Sequence, residues 1–276
     1  MFEIVEKREV APKIKLLKIL APKIARKVRP GQFVILRICE EGERIPLTVA
    51  DYDPKAGTIT IVFKETGKTT KQLGTFNVGD KILNVLGPLG KPAEIGKYGK
   101  VVCIGSGVFA APASLLAGAY KKAGNYVIGI NNARRADLLV FEQRFKAVCD
   151  EYYVSTDDGS KGYQGIDFLK EILERGVDRV VVCGLVPIQK KVCELTKPYG
   201  VKTMVHLTPI MVDGMGMCGA CRVLVGGETK FTCVDGPEFD GHLVDFDELE
   251  RRKRMYLVEE KVACMMYERM GGGDVE

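Results

Sequence analysis

Apolar residues keep two different rhythms along the chain, with a change near residue 98. Before it, short apolar runs at 33–38 and 58–63 are bounded by turns such as Arg29-Pro30-Gly31 and Asn77-Val78-Gly79-Asp80. Short, regularly spaced strands with such turns predict a small β-barrel. After it, continuous apolar runs alternate with helical stretches. Val101-Val102-Cys103-Ile104 leads into Gly105-Ser106-Gly107 and a helix over 110–122. Strands over 126–130, 151–155, 179–183 and 202–207 are then interleaved with helices over 138–148, 166–175 and 187–197. That alternation predicts a parallel sheet covered on both faces.

A third region starts near Thr208. It is rich in Gly, Cys and Met, and its local pattern does not support a core of its own. From Phe246 the chain turns charged and helical through 247–267, and the tail Gly271-Gly272-Gly273 is expected to fray. The fold class is therefore α/β plus β. A barrel covers 1–97, a doubly wound parallel-sheet unit 98–207, and a small Cys-rich region with a C-terminal helix 208–276. There are no internal repeats.

Composition narrows the function classes. Apolar residues make up 46% of the 276 positions, enough for a proper core. The net charge of +5 is well mixed, and the cluster Arg251-Arg252-Lys253-Arg254 reads as a solvated helix face, so nucleic acid is not an expected partner. No apolar run approaches the ~18 residues of a membrane span. The N-terminus MFEIVEKREVAPKIK lacks the apolar centre of a secretory signal, which predicts a cytoplasmic protein. There is no Trp and there are two His, which argues against a His base or a multi-His metal site. Of nine cysteines, Cys39, Cys103, Cys149, Cys183 and Cys193 are scattered and read as small buried hydrophobes.

Cys218, Cys221 and Cys233 are different. The segment Val212-Asp213-Gly214-Met215-Gly216-Met217-Cys218-Gly219-Ala220-Cys221 aims two thiolates at one point. Its glycines let the loop curl and expose N–H groups toward sulfur. A hairpin over 223–232, turning at Gly226-Gly227, returns Cys233 to the loop. Plant-type 2Fe–2S spacing places a first ligand five positions before Cys218, which is Asp213, a carboxylate. Three thiolates and Asp213 are the proposed ligands of a 2Fe–2S cluster. Zinc on the same four groups, or on three Cys with His206 or His242, is the competing reading. Three buried thiols with no metal is the plain one.

Three loops fall at predicted strand ends, where open α/β sheets collect ligands. Gly105-Ser106-Gly107 suits a phosphate at a helix start, although Ala110 stands where a third glycine would complete the fingerprint. Ser155-Thr156-Asp157-Asp158-Gly159 offers Asp157 and Asp158 to ribose hydroxyls or to a plain turn. Cys183-Gly184-Leu185-Val186-Pro187 is the third. In the barrel, Arg44-Ile45-Pro46-Leu47-Thr48 offers a cation and a hydroxyl. Thr66-Gly67-Lys68-Thr69-Thr70 places a Gly and hydroxyls where a helix begins, as suits a diphosphate.

Barrel, nucleotide unit and Cys-rich loop, in that order, resemble the ferredoxin–NADP reductase superfamily. Within it the chain is similar to the electron-transfer subunit of dihydroorotate dehydrogenase. It also resembles the small subunits of NADH-dependent ferredoxin:NADP oxidoreductase, also described as sulfide dehydrogenase. Residues 209–214 through Cys233-Val234-Asp235-Gly236-Pro237-Glu238-Phe239-Asp240-Gly241 carry the likeness, Asp213 included. The resemblance implies FAD on the barrel, contacted by Arg44, Pro46, Leu47 and Thr48, with Thr48 as the catalytic hydroxyl near the flavin N5. Ile45 stands at the family's Arg position. Gly67, Lys68, Thr69 and Thr70 match the phosphate motif, with Thr69 replacing its second Gly, and Gly87-Pro88-Leu89-Gly90 matches the end of the barrel. Gly105, Gly107, Ala111 and Pro112 match the pyridine-nucleotide loop, and Cys183 and Gly184 the stretch beside the nicotinamide.

The resemblance further implies hydride transfer from NADH to FAD, with single electrons leaving through the 2Fe–2S cluster. It implies a larger partner subunit carrying FAD and 4Fe–4S clusters on the NADPH side, with ferredoxin reached through the complex in electron bifurcation. An electron-transfer role for dihydroorotate dehydrogenase is the rival within redox chemistry. A zinc-stabilised nucleotide-binding regulator is the rival outside it.

Overall fold

The computed structural model describes residues 1–271; Gly272 and Gly273, read above as part of a frayed tail, lie outside the described residues. Strands β1 (Phe2–Ala11) and β2 (Ile14–Leu20), helix α1 (Pro22–Ala25), strands β3 (Phe33–Arg37), β4 (Arg44–Asp53) and β5 (Thr58–Lys64), helix α2 (Lys68–Thr75), and strands β6 (Lys81–Ile82) and β7 (Asn84–Leu89) make the first unit. Its seven strands run antiparallel in the order β6-β1-β2-β5-β4-β3-β7. The sheet curls around a core that includes Leu17, Leu36, Ile59, Ile61 and Leu73. The period-two alternation of short strands thus gives a nearly closed barrel.

The second unit contains β8 (Lys100–Ser106), α3 (Ala110–Lys122), β9 (Tyr126–Ala133), α4 (Glu142–Ala147), β10 (Glu151–Thr156), β11 (Tyr163–Gln164), α5 (Leu169–Glu174), β12 (Arg179–Cys183), α6 (Val186–Thr196) and β13 (Lys202–His206). Its strand order is β11-β10-β9-β8-β12-β13, all parallel. β8 alternates between two cores. Val102 and Ile104 join the core that holds residues of α5 and α6, while Val101 and Cys103 join the one that holds α3. That second core also takes in Ile14, Leu16, Ala50 and Val62 of the barrel, so the two sheets share apolar packing. Chain order reverses between β8 and β12, which creates a crevice at their carboxyl ends.

Beyond β13 come the hairpin β14 (Arg222–Val225) and β15 (Glu228–Phe231), helix α7 (Thr232–Asp235), strand β16 (Glu238–Asp240), and helices α8 (Phe246–Lys253) and α9 (Leu257–Arg269). β16 adds antiparallel to the edge of the second sheet, on β13. The Cys-rich segment has no separate core. Met211, Cys221 and Cys233 pack on Phe33 and Ile35 of the barrel.

Two expectations need correction. The helix expected over 138–148 is a 3₁₀ turn, Ala136–Leu138, followed by the shorter α4. The single charged helix expected over 247–267 is two, broken at residues 254–256. Tertiary contacts impose that break: Arg252 of α8 donates to the Ala220 carbonyl at 3.0 Å, whereas α9 lies against α2, where Lys71 meets Cys264 Sγ at 2.9 Å. Among the described residues no helix is long and apolar enough to cross a membrane.

Candidate functional site

The crevice at the switch point brings two glycine loops side by side, because Gly105 and Cys183 are register partners on β8 and β12. A Cβ on Gly105 would lie 2.5 Å from Ala110 Cα and 2.8 Å from Ala113 Cβ, so only glycine lets α3 seat on the strand end. Gly107 has φ of +57° and open space beside it, which leaves its backbone approachable. Ala111 and Pro112 are buried inside α3 and serve packing. Gly184 admits Ile188 and Ser106, whose side-chain carbons would lie 2.6 and 3.2 Å from a Cβ there. Gln189 donates to the carbonyls of Gly184 and His206, both at 2.7 Å, tying the ends of β12 and β13 together.

Asn132, fully buried at the end of β9, links this crevice to the acidic turn. It accepts from Ser106 Oγ at 2.8 Å and donates to Ser155 Oγ at 3.1 Å and to Asp157 Oδ1 at 3.2 Å. Asp157 is thereby held toward the Gly105–Gly107 loop. Asp158 instead accepts from the Ser160 hydroxyl and N–H within its own turn, and those bonds hold its carboxyl below the usual range. Sequence reasoning passed over Asn132; the signal available was a polar pair, Asn131-Asn132, closing an apolar strand.

On the barrel, Pro46, Leu47 and Thr48 are half-buried on β4, and Arg44 is exposed at its start. Thr48 lies opposite Phe33 on β3. Its hydroxyl is 3.3 Å from Nε2 of His206, a contact between the two sheets. His206 is 1% exposed, and burial holds its imidazole down at about 4, so the ring is neutral at neutral pH. Cys183, adjacent to His206 in the sheet, is fully buried, and burial pushes its thiol well above its ordinary value.

The Gly67–Thr70 stretch begins α2. Thr70 Oγ1 accepts from the N–H groups of Thr66 and Gly67 at 3.0 and 3.1 Å, which caps the helix. Thr69 donates to Glu43 Oε2 at 2.6 Å. Both hydroxyls therefore shape the loop, and the helix N-terminus faces a cavity of about 520 Å³ closed on its far side by α9. Leu257, Lys261 and Cys264 of α9 line that cavity. Nothing in the local sequence pattern assigns them there, since only the fold brings residues 257–269 onto α2.

The cysteine segment is built around Asp213. Its carboxylate accepts the N–H groups of Met215 at 2.8 Å, Met217 at 3.0 Å and Cys218 at 2.6 Å. These bonds hold the carboxyl below its usual range and wrap the loop into a ring of N–H donors. Gly214 and Gly216 adopt φ of +73° and +83°, which the curl requires. Cys221 and Cys233 are buried with their sulfurs 3.2 Å apart, while Cys218 is exposed and its Sγ accepts from Ala220 N at 3.5 Å. Burial first, then the Cys221 thiol, pushes the Cys233 thiol up to about 12, so a metal has to displace its proton to bind.

Among the described residues no three His, Cys, Asp or Glu side chains converge on a single-ion site. Both histidines are engaged elsewhere, His206 with Thr48 and His242 Nε2 with Thr196 Oγ1 at 3.0 Å. Three sulfurs and a carboxylate are anionic donors that either an iron–sulfur cluster or zinc would accept.

Comparison with known proteins agrees with this geometry. Residues 208–245 match the iron–sulfur cluster binding domain of dihydroorotate dehydrogenase B. The chain is 46% identical over 273 residues to a Thermotoga maritima homolog of the dihydroorotate dehydrogenase B (NAD(+)) electron transfer subunit, covering 97% of this chain and 94% of that one. It is 30% identical over 223 residues to the electron transfer subunit of Clostridium perfringens, covering 80% and 88%. A chain in the structure of the NADH-dependent reduced ferredoxin–NADP oxidoreductase, studied for flavin-based electron bifurcation, superposes with a TM-score of 0.91 at 44% identity over 98% of each chain. The chain belongs to the family of dihydroorotate dehydrogenase B electron transfer subunits.

Proposed function

We propose that this subunit takes hydride from NADH onto FAD held by the barrel and passes single electrons through a 2Fe–2S cluster to a larger partner subunit. One observation carries the reading. Phe33 faces Thr48 across β3 and β4, and the same Phe33 packs in one cluster with the buried sulfurs Cys221 and Cys233. The hydroxyl assigned to the flavin and the sulfurs assigned to iron are thus one strand apart, about 5 Å of lateral spacing plus a side chain.

The residues fit the groups assigned to them. Residues 1–97 would hold FAD, with Pro46, Leu47 and Thr48 on β4 against the ring system. Arg44, Gly67, Lys68, Thr69 and Thr70 would take the diphosphate at the start of α2, in the cavity under α9. Residues 98–207 would hold NAD(H) at Gly105, Gly107, Asp157, Cys183 and Gly184, with Ala111 and Pro112 packing α3 behind the phosphate turn. Asp158, engaged in its own turn, would fix the loop that presents Asp157. Asp213, Cys218, Cys221 and Cys233 would hold the cluster. The bound flavin supplies the exchange between two-electron and one-electron chemistry, and the cluster supplies the one-electron carrier. The protein supplies position: Gln189 and Asn132 lock the strand ends, and the shared core fixes the barrel against the sheet.

The full-length likeness to the bifurcating oxidoreductase chain supports a larger partner that reaches NADP and ferredoxin; FAD and 4Fe–4S clusters on that partner are part of the proposal. No residue described here selects the final acceptor, which falls to that partner. A cytoplasmic location is part of the same proposal. Flavin and iron analysis of the chain co-purified with its native partner tests the reading. One FAD and about two irons per copy of this chain are expected beyond the partner's own content. Zinc with no flavin would overturn it.

A further inference from the structure

Helix α9 buries none of its side chains, although it lies against α2 and closes the cavity of about 520 Å³ at the Gly67–Thr70 turn. A surface helix ordinarily owes its stability to an apolar face packed on a core. Here Leu257, Lys261, Cys264 and Met265 line the cavity instead. The grip of α2 on the helix is slight. Lys71 Nζ lies 2.9 Å from Cys264 Sγ and pairs with Glu268, and a partly exposed ion pair adds little. The packing partner that α9 lacks is whatever fills the cavity.

The cavity has the size of a small-molecule site, for which ~300–1,000 Å³ is usual. Ile45 on its wall is three residues from Thr48 along β4, about 10 Å, so the cavity lies beside the position assigned to the flavin ring. A Cβ on Gly67 would meet nothing within 4 Å, which leaves the start of α2 open to a ligand. The first N–H groups of a helix have no partner inside it. Two of the acids on the wall are engaged: Glu43 accepts from Thr69 at 2.6 Å, and Glu268 pairs with Lys71. The third, Glu260, sits in the first turn of α9, where the helix dipole favours an acid. Lys68 of α2 and Lys261 of α9 also line the cavity, and among the described residues neither forms an ion pair. Ile45, at the place where the resembled family carries Arg, brings no charge.

We infer that α9 is a strap over the adenosine diphosphate half of the FAD assigned to the barrel. Lys261 is the cation for the diphosphate that Ile45 does not supply, and Leu257 and Met265 are the apolar wall for the adenine. The inference rests on the functional reading above. It adds a binding element from the far end of the chain, beyond the cluster-binding residues 208–245. A diphosphate is anionic, and the two helices each bring one free lysine to it. Because the strap has few contacts of its own, its ordering and the binding of the cofactor are linked, and whatever loosens one weakens the other.

The test uses the full chain, freed of flavin and titrated with FAD while flavin fluorescence is followed. Lys261→Gln is expected to weaken FAD binding about tenfold and to make it less sensitive to added salt, and Lys261→Arg to restore most of the affinity. Alkylation of Cys264 by iodoacetamide, read by peptide mass spectrometry, reports on the strap without any turnover. FAD and saturating ADP should each slow it about tenfold, whereas riboflavin, which lacks the diphosphate and the adenosine, should leave it unchanged. Equal affinity and equal salt dependence in Lys261→Gln overturn the strap alone. So does alkylation that FAD leaves unchanged, or that riboflavin slows as much as ADP does. A parent chain that binds no FAD overturns the functional reading and the strap with it.

Discussion

The parallel sheet and the cysteine segment are held together in opposite ways. The sheet carries a full core on each face, with Val102, Ile104, Val180 and Val182 on one side and Val101, Cys103 and Val181 on the other. The cysteine segment between β13 and β14 borrows the barrel residues Phe33, Ile35 and Leu89, and is otherwise organised by backbone bonds to one carboxylate. The crevice is therefore framed by packed cores on both faces, with Gly105 a position that admits no side chain. The cysteine loop is a shaped ribbon whose geometry depends on a few atoms and on what it binds. Exposed Met215 and Met217 beside Cys218 show where the ribbon meets its surroundings, as an electron exit requires.

That contrast is broken most sharply at the buried sulfurs. Cys221→Ser is expected to abolish the cluster and electron exit to the partner while reduction of the flavin by NADH persists. Iron analysis and flavin bleaching on the same sample check both halves. If electrons still reached the partner, Cys221 would be no ligand.

Gly214 sharpens the contrast next. A Cβ there would lie 2.5 Å from Ile35 Cδ1 at a φ of +73°, so Gly214→Val should destabilise the loop by about 2–3 kcal/mol. Cluster retention after gel filtration should fall, whereas the unfolding midpoint of the sheet should barely move. Equal losses in both would contradict a loop that stands apart from the main cores.

Asp213→Ala removes the acceptor shared by three N–H groups and should cost about 1 kcal/mol of loop order, read as faster hydrogen exchange at Met215, Met217 and Cys218. Asp213→Cys separates that shaping role from ligation. It should keep a cluster at a lower potential, and an unaltered potential would mean that the carboxylate only shapes the loop.

The smallest effect belongs to the sheet. Glu151 accepts from Arg175 at 2.8 Å and from the Tyr153 and Tyr126 hydroxyls, bonds that hold its carboxyl down at about 2 from an ordinary 4.5. A depressed carboxyl contributes stability that is complete above 4.5 and lost as pH falls through about 2. Glu151→Gln should remove about 1 kcal/mol of that acid-sensitive stability, after allowance for solvent screening, without changing cluster content. Chemical unfolding at pH 7 and pH 3 checks it.

The same contrast explains what the sequence reveals by itself. Periodicity and turns make the barrel strands, α3 and the 223–232 hairpin legible, because each is specified by its own residues. Gly105 and Gly107 are legible because a strand end running into a helix has few backbone solutions. Asn132 is not, and His206 is legible only as a zinc alternative, since a polar residue ending an apolar strand has no periodic signature and takes its meaning from a partner on another element. The break at residues 254–256 is also silent, because no Gly or Pro marks it and the pull of Ala220 and α2 is tertiary. Thr70 reads as a phosphate hydroxyl in sequence, and only the fold shows it capping α2.

Low-temperature electron paramagnetic resonance of the anaerobic complex, recorded after NADH is added, addresses the central claim most directly. The account expects the spin of a reduced 2Fe–2S centre in the parent and its loss in Cys221→Ser. Flavin that bleaches with NADH while no such spin ever appears would contradict an electron path through residues 213–233.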